Sequence, residues 1–271
     1  MSSLPVWNLS DYFSALDGAD VKAALAEADK VADAYASTYK DRFAALDGAA
    51  FGVALQTYEK LMMQLARLGS YAHMQHSLAS DNPEIGRHVQ AIEEALSDIG
   101  TKLIFITLEL AVIDESVLQE KLKDKTAAPY APWLRDLRIY REHLLPEEQE
   151  KLMHELDVSG RSAWVRLYDS LKAGLTYEVD GKQLTESEVR ALAEEPDRAL
   201  RERAARAVEK TAGANLKIFA HIHNTLCKDG EIADRWRNYT APDQAQHLSN
   251  LIEPEVVEAL RAFVAAHYQP E

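Results

Sequence analysis

IGRHVQAIEEALSDIGTKLIFITLELAVI, residues Ile85–Ile113, is the stretch from which the fold can be read. Ile85, Val89, Ile92, Leu96, Ile99, Leu103, Ile106, Leu110 and Ile113 recur at spacings of four and three in strict alternation. A half-buried strand would repeat every second residue, whereas this period places the whole set on one helix face. The stripe persists for about four heptads, which calls for left-handed, coiled-coil-like packing. Burial of each such side chain contributes roughly 1.5–3 kcal/mol before chain entropy is subtracted. Two architectures satisfy the seam: a dimeric coiled coil, or antiparallel neighbours within one chain. The short breaks at Asp47-Gly48 and Ser80-Asp-Asn82 favour the second.

Upstream, Val21, Ala24, Ala28, Val31, Tyr35, Tyr39 and Phe43 predict a first helix over about 19–46. Phe51, Ala54, Tyr58, Leu61, Leu65, Leu68 and Ala72 predict a second over about 49–79. Asn82 can cap the third helix, with Pro83 at its first position where the missing N–H costs nothing. Trp7, Leu9, Tyr12 and Phe13 are expected to pin an extended lead (residues 4–13) onto the body.

Downstream, Asp114 can cap a short helix over 115–123. The Ala/Pro-rich run from Asp124 to Pro132 breaks the pattern and is the candidate lobe boundary. Helices are expected over 132–143, 146–158 and 160–173, the last presenting Trp164, Leu167, Tyr168 and Leu171 inward. Leu175-Thr-Tyr-Glu-Val179 and Lys182-Gln-Leu184 flank Asp180-Gly181, a hairpin signal because both turn residues accept positive φ. Thr185-Glu-Ser-Glu188 reads as a capping box. A long helix from Asp197 to about Cys227 follows, then two shorter ones beginning near Thr240 and Pro254.

Composition narrows the function classes. A hydrophobic fraction of 47% supports a full core, and a net charge of −14 argues against a nucleic-acid partner. With Cys227 the only cysteine, no internal disulfide forms. The start Met-Ser-Ser-Leu-Pro-Val-Trp has no signal-peptide pattern, and no apolar run approaches a membrane span, so the cytoplasm is the expected location. The Asn-x-Ser/Thr matches at Asn8 and Asn238 then carry no meaning.

Several patterns imitate active sites. His154-Glu155 begins like a zinc-binding helix, but the position four residues after His154 is Val158, so the second imidazole is missing. His73 and His76 share a face without a nominated third ligand, and His221 and His223 diverge on their helix. Cys227 reads as an inert helix-end thiol, and Gly181-Lys182 lacks the remaining P-loop residues.

Short motifs spread along the chain carry a resemblance. Trp7-Asn-Leu-Ser-Asp11, Ser159-Gly-Arg-Ser-Ala-Trp164, the hairpin at Leu175–Leu184 and Pro196-Asp-Arg198 with Arg201 follow one another in order. Cys227-Lys-Asp229, Arg235-Trp-Arg237 and Glu253-Pro-Glu-Val256 complete the set. Together they resemble the N-terminal half of the oligoendopeptidase F branch of the zinc oligopeptidases, the thimet oligopeptidase-related family. The resemblance implies hydrolysis of short peptides on a zinc ion held by a His-Glu-x-x-His helix and a downstream Glu. This sequence has no such motif, and at Glu271 it stops where family members continue.

The expectation is therefore an all-α chain: long antiparallel coiled-coil-like helices in an N-terminal lobe (1–125), then a helical lobe with one small β-hairpin at about 175–185 (126–271). No catalytic or metal-ligating residue is assigned, and the chain alone is expected to be inactive. The zinc ion and the missing C-terminal catalytic half belong to the intact enzyme the resemblance implies. In that enzyme this half would form one wall of a channel for short peptides. Arg235, Arg237 and Tyr239, in the most family-like segment, are the candidate substrate contacts, although the 44 acidic side chains offer those arginines structural partners as well. The alternative is a stand-alone helical binding or scaffold protein, with the Ile85–Ile113 seam as its interaction surface.

Overall fold

The computed structural model describes residues 7–79 and 82–268. Helices α1 (Ala19–Tyr39), α2 (Gly48–Leu78) and α3 (Pro83–Val112) form the first part. Val21, at the start of α1, shares a core with Leu68 and Tyr71 late in α2 and with Val89 and Ile92 early in α3. Tyr35, late in α1, lies with Ala54 early in α2 and Phe105 late in α3. Helix α2 thus runs antiparallel to both neighbours. Within the seam Val89, Ile92, Ile99, Leu103, Ile106, Leu110 and Ile113 are buried by this one chain, so no dimeric coiled coil is formed from it. Asn82 caps α3 as expected, its Oδ1 accepting the Glu84 N–H at 3.0 Å. Ser80 and Asp81, the expected end of α2, lie outside the described residues, as do residues 4–6 of the lead. Tyr12 and Phe13 do pack on Tyr71, but Trp7 is 63% exposed and pins nothing.

The first helix ends earlier than its periodicity predicts. Asp41 adopts a left-handed φ of 63°, which stops α1 at Tyr39. Its N–H, freed from the helix, donates to Glu109 of α3 at 2.7 Å. Burial holds that Glu109 carboxyl above the usual carboxylate range. The chain then re-enters through a 3-10 turn, Phe43–Ala45, which puts the fully buried Phe43 ring among Tyr35, Tyr39, Phe51 and Phe105.

Helix α4 (Glu115–Lys121), capped by Asp114, leads into a segment laid against the start of α2. Ala127 and Leu134, of the pattern break and of α5 (Ala131–Arg138), join the same core as Phe51 and Leu110. Close approach requires Gly52: a Cβ there would stand 2.6 Å from the Thr126 carbonyl carbon and 2.7 Å from the Ala127 nitrogen. Gly→Ala at an open helix position stabilises by up to about 1 kcal/mol. At Gly52 the sign is expected to reverse, a loss of about 1–3 kcal/mol from overpacking. Urea denaturation beside Gly86→Ala, where a Cβ meets nothing within 4 Å, tests this. Equal stabilisation by both substitutions would disprove the packing argument.

The remainder holds α6 (Glu147–Asp157), α7 (Arg161–Ala173), the hairpin β1 (Tyr177–Val179) and β2 (Lys182–Leu184), α8 (Glu186–Ala191), α9 (Arg198–Ala214), α10 (Leu216–Trp236), α11 (Gln244–Ser249) and α12 (Pro254–His267). In the antiparallel hairpin Tyr177 faces Leu184 across a turn with positive φ at Asp180 and Gly181. The capping box is present, with Thr185 N–H donating to Glu188 at 2.7 Å. Tyr177, Val179, Val189, Ala204 and Ala207 close a small separate core.

Further expectations need correction. The long helix after Asp197 is two, divided at Asn215 (φ −106°, ψ 6°), whose amide donates to the Thr211 carbonyl at 2.9 Å. The second of the pair continues past Cys227 to Trp236. Helix α7 buries none of its stripe fully, because Trp164 and Tyr168 meet α10 only edge-on, at His221 and Phe219. Among the described residues no helix is long and apolar enough to cross a membrane.

Candidate functional site

Helix α6 opens with Glu147, Glu148 and Glu150 in its first turn, where carboxylates favour the helix N-terminus. It packs against α3 where Gly100 leaves room: a Cβ there would lie 3.0 Å from His154 Nε2. That nitrogen instead reaches the Ser97 carbonyl at 3.2 Å. His154 stays exposed while this one ring nitrogen touches α3. Helix α6 leaves Leu152 and Leu156 more than half exposed on another side.

Opposite them stands the last part of α10. Asp229, Ile232, Ala233 and Trp236 follow at i, i+3, i+4 and i+7, one face of a helix. Between α6 and α10 lies a groove of about 1340 Å³, to which α3 contributes Ile104, Thr107 and Leu108. Its surface is mainly apolar, with Trp236 56% exposed.

One end of the groove is latched. Arg237 donates through both terminal nitrogens to the two oxygens of Glu150, each at 2.7 Å, a bidentate geometry. Glu150 also accepts the Leu145 N–H at 2.9 Å. The Arg237 carbonyl accepts from His143 Nδ1 at 2.8 Å, and the His143 ring stacks on Tyr239 at 4.1 Å. Burial alone would raise the Glu150 carboxyl, but the hydrogen bonds from Arg237 and Leu145 outweigh it and hold it below its usual range. The hydrogen bond to Glu150 holds Arg237 above its usual value, and burial pushes the Tyr239 phenol up.

Of the three candidate contacts, the structure brings Arg237 and Tyr239 together on the groove, while Arg235 lies outside its lining and is exposed. The Arg237 fork is occupied by Glu150. Sequence reasoning missed Glu150 and His143, which lie 87 and 94 positions from Arg237 with no periodic relation to it. It also missed Asp157, Asp229 and Asp234, which line the groove with Arg161.

Zinc, implied by the family resemblance, finds no fitting donor set here. Among the described residues no group of three or more His, Cys, Asp or Glu is arranged to hold a metal ion. His154 is engaged with Ser97, and the exposed Cys227 thiol has His223 Nε2 at 3.5 Å as a single neighbour of that type.

The family model described as Oligopeptidase F matches residues 109–177, from the end of α3 through α7 into β1. No curated protein matches the chain by sequence. Among solved structures, oligoendopeptidase-F from Enterococcus faecium shares the fold with a TM-score of 0.79 at 19% identity, over 92% of this chain and 50% of that one. A Chlamydophila abortus protein provisionally described as a peptidase gives a TM-score of 0.56 at 20% identity, over 95% of this chain and 44% of that one. The chain thus spans about half the length of the structures it matches. The family match and the shared fold together support an N-terminal half of the oligoendopeptidase F family.

Proposed function

We propose that this chain is the N-terminal, non-catalytic portion of a cytoplasmic zinc oligopeptidase, and that the groove between α6 and α10 belongs to the wall along which short peptides pass. The observation that carries the reading is an apolar groove on a fold shared with an oligoendopeptidase-F over 92% of this chain. The proposal keeps the division into a long-helix lobe (1–125) and a helical lobe with the hairpin (126–271). It assigns zinc and the water-activating Glu to a C-terminal half outside this sequence. The role of the wall is steric: a folded protein does not enter, whereas an extended peptide lays its side chains on Leu152, Leu156 and Trp236. Such contacts, equal in ground and transition states, act on KM rather than kcat.

The scaffold alternative drew its interaction surface from Ile85–Ile113, and that seam is covered by α1 and α2. Two measurements test the proposal. Incubated with quenched fluorescent peptides and added zinc, the purified chain is expected to give no chelator-sensitive turnover. Appreciable turnover would place a catalytic set within this sequence and overturn the non-catalytic assignment. A short photo-crosslinking peptide is expected to label α6 or the end of α10; labelling confined to other faces would remove the wall.

A further inference from the structure

Resting on that reading, we infer that the groove selects peptides in which a bulky apolar side chain stands beside lysine or arginine. The apolar part follows from Leu152, Met153 and Leu156 on one side and Ile232 and Trp236 on the other. The charge preference follows from what remains after internal pairing. Glu150 and Arg237 neutralise each other within the latch. Asp157, Asp229 and Asp234 face the same space, and Arg161 is the cation opposing them. Among the described residues none of those three carboxylates forms a salt bridge, the nearby Lys228 being paired with Glu231. Asp157 accepts the Ser162 hydroxyl at 2.5 Å, a neutral partner.

Position sharpens the argument. Asp157 lies seven residues from the latch along α6, and Asp229 eight residues from it along α10 (157 − 150 and 237 − 229). At about 1.5 Å per residue both stand roughly 10–12 Å from the ion pair. The groove therefore has an internally neutralised ion pair, with Asp234 three residues from Arg237 and with Asp157 and Asp229 about two helical turns away. A peptide with its apolar side chain against Leu156 and Trp236 can bring a neighbouring cation to these carboxylates, and a cation over the Trp236 ring gains further attraction. A second copy of this chain is the poorer occupant. The exposed apolar face of α12 (Val256, Leu260, Phe263, Val264) would carry Glu255 and Glu258 into an acidic site.

Fluorescence anisotropy on the purified chain tests the inference with three labelled peptides of equal length, built on Leu and Phe with Lys/Arg, Gln or Glu between them. At low salt the cationic peptide is expected to bind about ten-fold more tightly than the neutral one, the effect of one or two screened charge pairs. Asp157→Asn with Asp229→Asn is expected to reduce that preference to within about two-fold. Glu27→Gln with Glu209→Gln, which removes the same net charge at exposed sites outside the groove lining, should leave it intact. Equal losses in both double variants would mean attraction by the overall negative charge and would overturn the site. Leu156→Ser is expected to weaken all three peptides alike. Groove-dependent binding without charge preference ends this inference and leaves the wall standing; no peptide binding at all removes both.

Discussion

Arg237→Ala is expected to lower the unfolding free energy by about 2 kcal/mol, below the ~3–5 kcal/mol of a fully buried ion pair because this one is part-buried. The loss is large because Glu150, 13% exposed, keeps its charge without the fork that compensates it. Arg237→Lys should recover only part, since an ammonium cannot grip both oxygens at once. Glu150→Leu combined with Arg237→Met should recover most, because no uncompensated charge is left buried. The pH dependence follows from the direction of the Glu150 shift. A carboxyl held below its usual value in the folded state stabilises fully above its unfolded value of about 4.3, and the contribution is lost as pH falls through the folded value. Wild type should therefore lose this increment on acidification below about pH 4, while Arg237→Ala, which lacks it, shows a shallower acid dependence. Urea denaturation at neutral and acid pH measures both. A cost below about 0.5 kcal/mol, as for an exposed pair, would show that the latch contributes nothing to cohesion.

Phe43→Ala should cost about 3–5 kcal/mol, the range for emptying a buried phenylalanine site. Its ring centroid lies 6.1–6.5 Å from those of Tyr35, Tyr39, Phe51 and Phe105, on three different segments that cannot all move inward. Phe43→Leu, which refills much of the volume, should cost less than half as much. The same denaturation experiment checks the pair. An alanine variant that unfolds with the wild type would mean that the 3-10 turn does not anchor α1 to α3.

What could be read in the sequence was local. The 4-3 seam, the Asn82-Pro83 start, the Thr185/Glu188 box and the Asp180-Gly181 turn each place cause and effect within a few residues, and all four stand in the structure. The errors have tertiary causes. Phe43 keeps the helical period of α1, yet Asp41 leaves the helix because Glu109, 68 residues away, receives its N–H. Leu167 and Tyr168 are spaced for burial, yet they remain over a third exposed, Tyr168 meeting Phe219 of α10 edge-on. The groove has no signature at all in one dimension. Arg237 and Tyr239 drew notice through their local company, while Glu150, His143 and the three aspartates became visible only when α6 and α10 came together.

The break at Asn215 has a consequence for recognition. Helix α9 is held near its middle by the hairpin core through Ala204 and Ala207, and the last part of α10 delivers Asp229, Ile232 and Trp236 to the groove. Since a helix turns about 100° per residue, one residue gained or lost between Asn215 and Asp229 would swing that whole set away from α6 while the hairpin stayed as it is. For the proposed peptide groove, preference would therefore be written partly in length: a single-codon insertion or deletion in that span is expected to alter the lining more than most substitutions within it.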